Sequence, residues 1–95
     1  GAGNLTVDEM KEAMEFLHTH GAKGYLTINI YPHNEDILPL QEYIQQIRDI
    51  PIDAFLISDP GVMQLVKDGI PNAEIHLSTQ ANTTNYLSAN FWVSQ

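Results

Sequence analysis

The sequence predicts an α/β protein: part of a (β/α)8 barrel, with three parallel strands and four helices in the order α-β-α-β-α-β-α. Apolar residues recur at helical spacing, short apolar or alternating strands separate them, and Gly, Pro and capping residues mark the boundaries. Strands that alternate with helices pair in parallel through right-handed crossovers. Because such a barrel has about 250 residues, residues 1–95 are expected to be a single truncated segment of a larger barrel domain.

Each predicted helix has a start signal. Thr6 and Glu9 form a capping box before the first helix, which ends at Gly21. Asn34 is placed to cap the second helix, and Asp59 followed by proline starts the third. A fourth helix is predicted in "TTNYLSANFWV", residues 83–93.

Three strands are predicted at residues 24–30, 54–58 and 74–78. The first alternates, with Leu26 and Ile28 on one face and Thr27 on the other. The second, "AFLIS", is almost wholly apolar, as is typical of a strand that is buried on both faces.

Charge and composition exclude several classes of function. Four basic residues against twelve acidic ones give a net charge of -8, so this segment alone is not expected to bind nucleic acid or an anionic membrane. The absence of cysteine excludes disulfides and cysteine-held metal centres within the segment, and no metal site or resident cofactor is predicted. The opening "GAGN" has no signal-peptide features and no apolar run reaches the length of a membrane span, so a cytoplasmic location is expected.

Polar residues follow each predicted strand, where parallel α/β proteins bind ligands. The three corners are "NIYPHN", "SDPG" and "STQAN". Their side chains could instead cap helices, as Asp59 does most simply, make internal hydrogen bonds or face water. The candidate substrate-binding residues are His33, Asn34, Asp59, His76, Ser78, Gln80 and Asn82. The residues alone assign no catalytic group.

The corner sequences resemble those of a known family. "TINIYPHNED", "FLISDPGVMQLV" and above all "EIHLSTQANTTN" are similar to the N-terminal barrel region of the collagenase-like peptidases, the unassigned-type peptidase family numbered 32. The resemblance runs from about Asn4 to Trp92. It implies a piece of a peptidase-type enzyme whose barrel mouth includes the candidate residues, although the piece itself is expected to be inactive.

The same resemblance implies an alternative activity. Other members of the family resemble RNA or ubiquinone hydroxylation factors that hold iron–sulfur clusters through cysteines, so a cluster in the full-length protein is the corresponding expectation. A non-catalytic binding barrel is the third hypothesis. The expected partners are the rest of the parent chain and a second copy of the segment, since a partial barrel exposes strand edges and apolar faces.

Overall fold

The computed structural model describes residues 2–3, 5–29, 38–78 and 88–94 of the chain. In chain order its elements are strand β1 (Ala2–Gly3), helix α1 (Val7–Thr19), strand β2 (Lys23–Asn29), helix α2 (Leu38–Ile47), strand β3 (Ala54–Ile57), helix α3 (Pro60–Gly69), strand β4 (Ile75–Leu77) and strand β5 (Ser88–Ser94).

The strands form one sheet in the order β1-β5-β2-β3-β4. Strand β3 pairs in parallel with β2 on one side and with β4 on the other. The predicted α/β class and the parallel pairing of the three predicted strands are therefore confirmed, with strand ends within one or two residues of those expected.

The predicted fourth helix is wrong where the structure describes it. Residues 88–94 form strand β5, which runs antiparallel to β2 and pairs with it from Lys23 opposite Ser94 to Asn29 opposite Ser88. Phe91, Trp92 and Val93 are residue types that favour strands, and their pairing gives hydrogen-bond partners to the second edge of β2. The sheet is therefore mixed, not wholly parallel. Residues 79–87 lie outside the described part of the chain.

Helix α1 begins at the predicted capping box. Thr6 Oγ1 accepts a hydrogen bond from the Glu9 N–H at 3.1 Å, and Glu9 Oε1 accepts one from the Thr6 N–H at 2.9 Å. Hydrogen bonding to Thr6 lowers the pKa of Glu9, and the Thr6 backbone contributes more to this shift than the Thr6 side chain does. The helix is followed by Gly21 at φ 74°, a left-handed conformation that glycine adopts without a steric cost.

All three helices pack on one face of the sheet. Leu26, Ile28, Phe55 and Ile57 lie on that face, where they join the buried side chains of the helices in one core. The largest fully buried side chains are those of Met10, Met14, Leu26, Ile28, Leu40, Ile44, Ile47, Ile57 and Val66.

The other face of the sheet carries the alternate residues of the parallel strands. We call it the open face because the described helices do not pack on it; its described side chains are Tyr25, Thr27, Ala54, Leu56 and His76, of which Thr27 and Ala54 are buried. None of the described helices is both long and apolar enough to span a membrane.

Candidate functional site

The carboxyl ends of β2, β3 and β4 meet at one edge of the sheet, as the parallel pairing requires. The Ser78 N–H donates to the Ile57 carbonyl at 2.9 Å, so the pairing of β4 with β3 continues past the last assigned strand residue. Ser58 follows Ile57 directly. Two serines are therefore neighbours at this edge.

Asp59 caps helix α3. Its Oδ2 accepts a hydrogen bond from the Val62 N–H at 2.9 Å, and its backbone is extended at φ -94° and ψ 127°. Pro60 occupies the first helical position, where its missing N–H leaves no hydrogen bond unmade. The capping interpretation is thus confirmed, while a contact between Asp59 and substrate stays a prediction.

Four of the seven candidates lie outside the described residues: His33, Asn34, Gln80 and Asn82. Their membership of the site stays a prediction, as does the cap formed by Asn34. The three described candidates are Asp59, His76 and Ser78. Ser78 and His76 lie on the edge strand and its extension, and Asp59 starts the helix that follows β3.

A row of three residues crosses the open face. Leu56 pairs in register with Thr27 on one side and with His76 on the other. Thr27 is only 5 % exposed, and within the part of the chain that the structure describes it is the one buried polar residue. The row therefore places a hydroxyl and an imidazole on either side of an aliphatic side chain.

His76 is paired with a carboxylate that sequence reasoning missed. Its Nε2 lies 3.4 Å from Glu74 Oε2, and the two side chains are 55 % and 65 % exposed. The signal was available, because residues two apart on a strand share a face. Because both side chains are more than half exposed, they are accessible to solvent. An ion pair this exposed adds little to the free energy of unfolding.

A second histidine–carboxylate pair lies between the end of helix α1 and the amino ends of β2 and β3. His18 Nε2 donates to Asp53 Oδ2 at 2.9 Å, and the Gly24 N–H donates to the same oxygen at 2.8 Å. Burial acts to raise the pKa of Asp53, but the Gly24 hydrogen bond, His18 and Lys23 outweigh it, and the pKa falls below its usual value. This pair ties the end of α1 to the starts of β2 and β3.

Metal ligands do not gather in the described residues: no three His, Asp or Glu side chains there lie close enough together to hold an ion. The whole chain has no cysteine, so it cannot supply thiolates to an iron–sulfur cluster. Any cysteine ligands of such a cluster would have to come from outside this segment.

Two clefts of the described structure lie in the helical layer. One lies between α2 and α3 and is lined by Gln41, Ile44, Gln45, Leu65, Asp68 and Gly69. Another follows α1 and reaches Val93 of β5. Neither opens onto the row of Thr27, Leu56 and His76.

Comparison with known proteins agrees with the resemblance of the corner sequences. The chain is 36 % identical over 91 residues to tRNA hydroxylation protein P1 of Bacillus subtilis, a match that covers 96 % of this chain and 22 % of that protein. It is 30 % identical over 86 residues to the 23S rRNA 5-hydroxycytidine C2501 synthase of Escherichia coli, covering 90 % of this chain and 13 % of that protein.

A third relative has a different kind of name. An uncharacterized protease of Methanocaldococcus jannaschii is 32 % identical over 91 residues, covering 96 % of this chain and 22 % of that protein. The chain thus spans about a fifth or less of the length of these relatives. No solved structure matches the chain. The model of peptidase family U32 matches residues 1–95, the whole length, and the chain therefore belongs to peptidase family U32.

Proposed function

We propose that this chain is part of a longer enzyme that hydroxylates a nucleoside of RNA, and that the segment supplies one wall of its substrate site. The observation that carries the proposal is the likeness, over nearly the whole chain, to proteins named for tRNA hydroxylation and for rRNA hydroxycytidine synthesis. Of the two activities that the family resemblance implied, these names favour hydroxylation over proteolysis.

The geometry supports a site at the carboxyl edge of the sheet and on the open face. Two parallel β-α-β crossovers with helices on one face are the repeating unit of a (β/α)8 barrel, and the opposite face of that unit becomes the interior. We propose that the rest of the longer protein adds parallel strands beyond β4; a closed barrel would also require β5, which is antiparallel to β2, to leave the edge of β2. His76 and Ser78 would then line the mouth, together with the corners that contain His33, Asn34, Gln80 and Asn82.

The negative charge of this segment indicates that other parts of the enzyme bind the RNA backbone. A net charge of -8 repels the phosphate backbone of RNA, so the groups that hold the backbone belong to other parts of the protein. The segment by itself is expected not to retain RNA. We place the full enzyme in the cytoplasm, where tRNA is available to it.

The oxidative chemistry also belongs outside the segment. An iron–sulfur cluster in the full-length protein would supply electron transfer, and its cysteines would be contributed by other parts of that protein. What this chain's own residues can do is bind and orient the substrate and exclude water from one side of it.

The test compares RNA from cells that have the full-length gene with RNA from cells that lack it. Nucleosides from digested tRNA and rRNA are separated by chromatography, and their masses are measured by mass spectrometry. We expect a nucleoside that is heavier by one oxygen atom to disappear with the gene and to return on complementation. Unchanged nucleoside profiles in both RNA classes would overturn the proposal.

A second arm of the test addresses the site. The full-length gene is reintroduced with His76→Ala or with Leu77→Ala, an exposed neighbour on the other face of the same strand. We expect the first variant to restore much less of the modified nucleoside than the second. Equal restoration by both variants would remove His76 from the site.

Proteolysis is the second candidate, favoured by the relative named as a protease. Purified full-length protein is incubated with gelatin and with a mixture of unstructured peptides, and new amino termini are counted. Hydrolysis of these substrates, together with RNA modification that does not change when the gene is deleted, would establish the peptidase activity in place of hydroxylation.

A further inference from the structure

We infer that the cleft between helix α1 and strand β5 is the docking site for a basic amphipathic helix, which the longer protein supplies from outside residues 1–95. We call this cleft the α1 groove, and its lining includes Glu9, Glu12, Ala13, Phe16, Leu17 and Val93. The inference concerns how the segment joins the rest of the protein. It does not depend on the reaction that the protein catalyses.

The α1 groove lies on the helix-covered side of the sheet. Val93 of β5 pairs with Gly24, two residues before the buried Leu26, so the Val93 side chain points to the face on which the helices pack. Val93 is nevertheless 42 % exposed. Because helices in one layer bury an apolar stripe against the sheet and against each other, a further helix beside α1 would cover Val93.

The groove concentrates exposed apolar surface. The described residues include four large hydrophobic side chains that are exposed, and two of them, Phe16 at 63 % and Val93, line this one cleft. The Phe16 ring stacks on His20 with the ring centroids 4.2 Å apart, and His20 Nδ1 lies 2.8 Å from the Phe16 carbonyl oxygen. These contacts hold an aromatic side chain at the groove, where a partner can bury it.

The shape of the groove suits a helix. Its residues Glu9, Glu12, Ala13 and Phe16 are spaced i, i+3, i+4 and i+7, so they follow one face of α1 for about 10 Å. The groove has a volume of about 610 Å³. An elongated apolar groove along a helix is the form that accepts the apolar stripe of a second helix.

Charge determines which helix fits. Glu9 and Glu12 give the groove two carboxylates beside its apolar surface. A second copy of this chain would bring a further net charge of -8 towards them, and like charges repel. A helix that carries Lys or Arg next to its apolar stripe would instead pair with both glutamates. The groove therefore favours a basic helix over self-association.

The longer protein is the source that we assign to this helix. The chain covers 22 % of the length of tRNA hydroxylation protein P1, so most of a protein of that length would lie outside the segment. A helix in the same polypeptide is present at a high effective concentration and needs no strong affinity of its own.

The test identifies what occupies the groove in the full-length protein. The photoreactive amino acid p-benzoylphenylalanine is incorporated at position 16 or, as the control, at position 11. Lys11 is exposed and does not line the groove, and five residues of helix place it about 140° around α1 from Phe16. Cross-linked peptides are identified by mass spectrometry in a mixture of unlabelled and isotope-labelled protein, which separates links within one chain from links between two.

We expect the probe at position 16 to join a single peptide of the same chain from outside residues 1–95. That peptide should have apolar residues at helical spacing and a net positive charge, and the probe at position 11 should not join it. As a second measurement, Phe16→Cys in the full-length protein should be alkylated roughly tenfold more slowly than Lys11→Cys, because the groove must open before the reagent enters.

Two glutamates of α1 provide a matched test of charge. Glu12→Lys is expected to lower the cross-link yield from position 16 roughly two- to fivefold. Glu15→Lys changes an exposed residue of the same helix that does not line the groove, and should leave the yield unchanged. Equal yields from the two variants would overturn the basic character of the helix.

Three results would overturn the docking site itself. They are links between two copies, links confined to residues 1–95, and alkylation of Phe16→Cys as fast as that of Lys11→Cys. RNA modification enters none of these measurements, so the inference can fail while the full-length protein still hydroxylates RNA. Conversely, unchanged RNA after gene deletion would overturn the proposed function and leave the docked helix in place.

Discussion

The two faces of the sheet are built from adjacent residues but have opposite properties. Ile28 and Ile57 are fully buried beneath the helices, whereas their neighbours Thr27 and Leu56 lie on the open face, with Leu56 only partly buried. At the edge strand the contrast extends to His76, which is half exposed. The helix-covered face therefore carries the described core, whereas exposure on the open face rises from Thr27, at 5 %, to His76 on the edge strand.

The same contrast separates the two histidine–carboxylate pairs. His18 and Asp53 are joined at 2.9 Å and share the Gly24 N–H, whereas His76 and Glu74 are 3.4 Å apart with both side chains more than half exposed. The His18–Asp53 pair connects α1 with the starts of β2 and β3. The Glu74–His76 pair joins two residues of one short segment. The same two residue types therefore serve the fold at one end of the strands and a candidate site on the open face.

The largest effect is expected from truncations on the two faces. Ile57→Ala removes a fully buried side chain and leaves a cavity, and should lower the free energy of unfolding by about 2–5 kcal/mol. Leu56→Ala removes a partly buried side chain and should cost roughly half as much or less. Urea denaturation followed by circular dichroism measures both. Equal losses would contradict the division of the sheet into a stabilising face and an open one.

The next largest change in stability is expected when the carboxylate of each histidine–carboxylate pair is removed. Asp53→Ala leaves the Gly24 N–H and His18 without their acceptor and should cost about 1–3 kcal/mol. Glu74→Ala removes an exposed partner and should change stability by less than about 0.5 kcal/mol. The same denaturation experiment applies. A large loss for Glu74→Ala would assign His76 and Glu74 to the fold.

A pH titration separates the pairs further. The pKa of Asp53 is lower in the folded chain than in the unfolded one, so its contribution to stability is present above about pH 4 and is lost as pH falls through the folded pKa. The difference in unfolding free energy between the wild type and Asp53→Asn should therefore shrink in acid. A difference that stays constant from neutral pH to pH values well below 4 would contradict this assignment.

Local signals in the sequence predicted the first three helices and the three parallel strands. The capping box at Thr6 and the Asp59–Pro60 start act over three or four residues, and the structure confirms both. The buried stripe of α2 at Leu40, Ile44 and Ile47 has the predicted helical spacing. These features depend on neighbours along the chain, so one sequence is enough to reveal them.

Pairings between distant residues were not predictable in the same way. The segment 88–94 was predicted to be helical, yet its conformation depends on its pairing with the second edge of β2, which lies more than 50 residues earlier in the chain and leaves no local signal. The pair of His18 and Asp53 joins residues 35 positions apart, and no local pattern marks it. The His76–Glu74 pair could have been found from alternation alone.

The smallest change in stability is expected at Asp59, where substitutions test whether the side chain contacts substrate as well as capping helix α3. Asp59→Ala removes the acceptor of the Val62 N–H and should cost about 1 kcal/mol, whereas Asp59→Asn keeps a capping oxygen and should cost a few tenths at most. A cap needs only an oxygen that accepts a hydrogen bond, but a substrate contact through charge needs the carboxylate itself. Full-length protein with Asp59→Asn that is stable but loses RNA hydroxylation would assign the carboxylate to the site. Full activity in that variant would leave the cap as the role of Asp59.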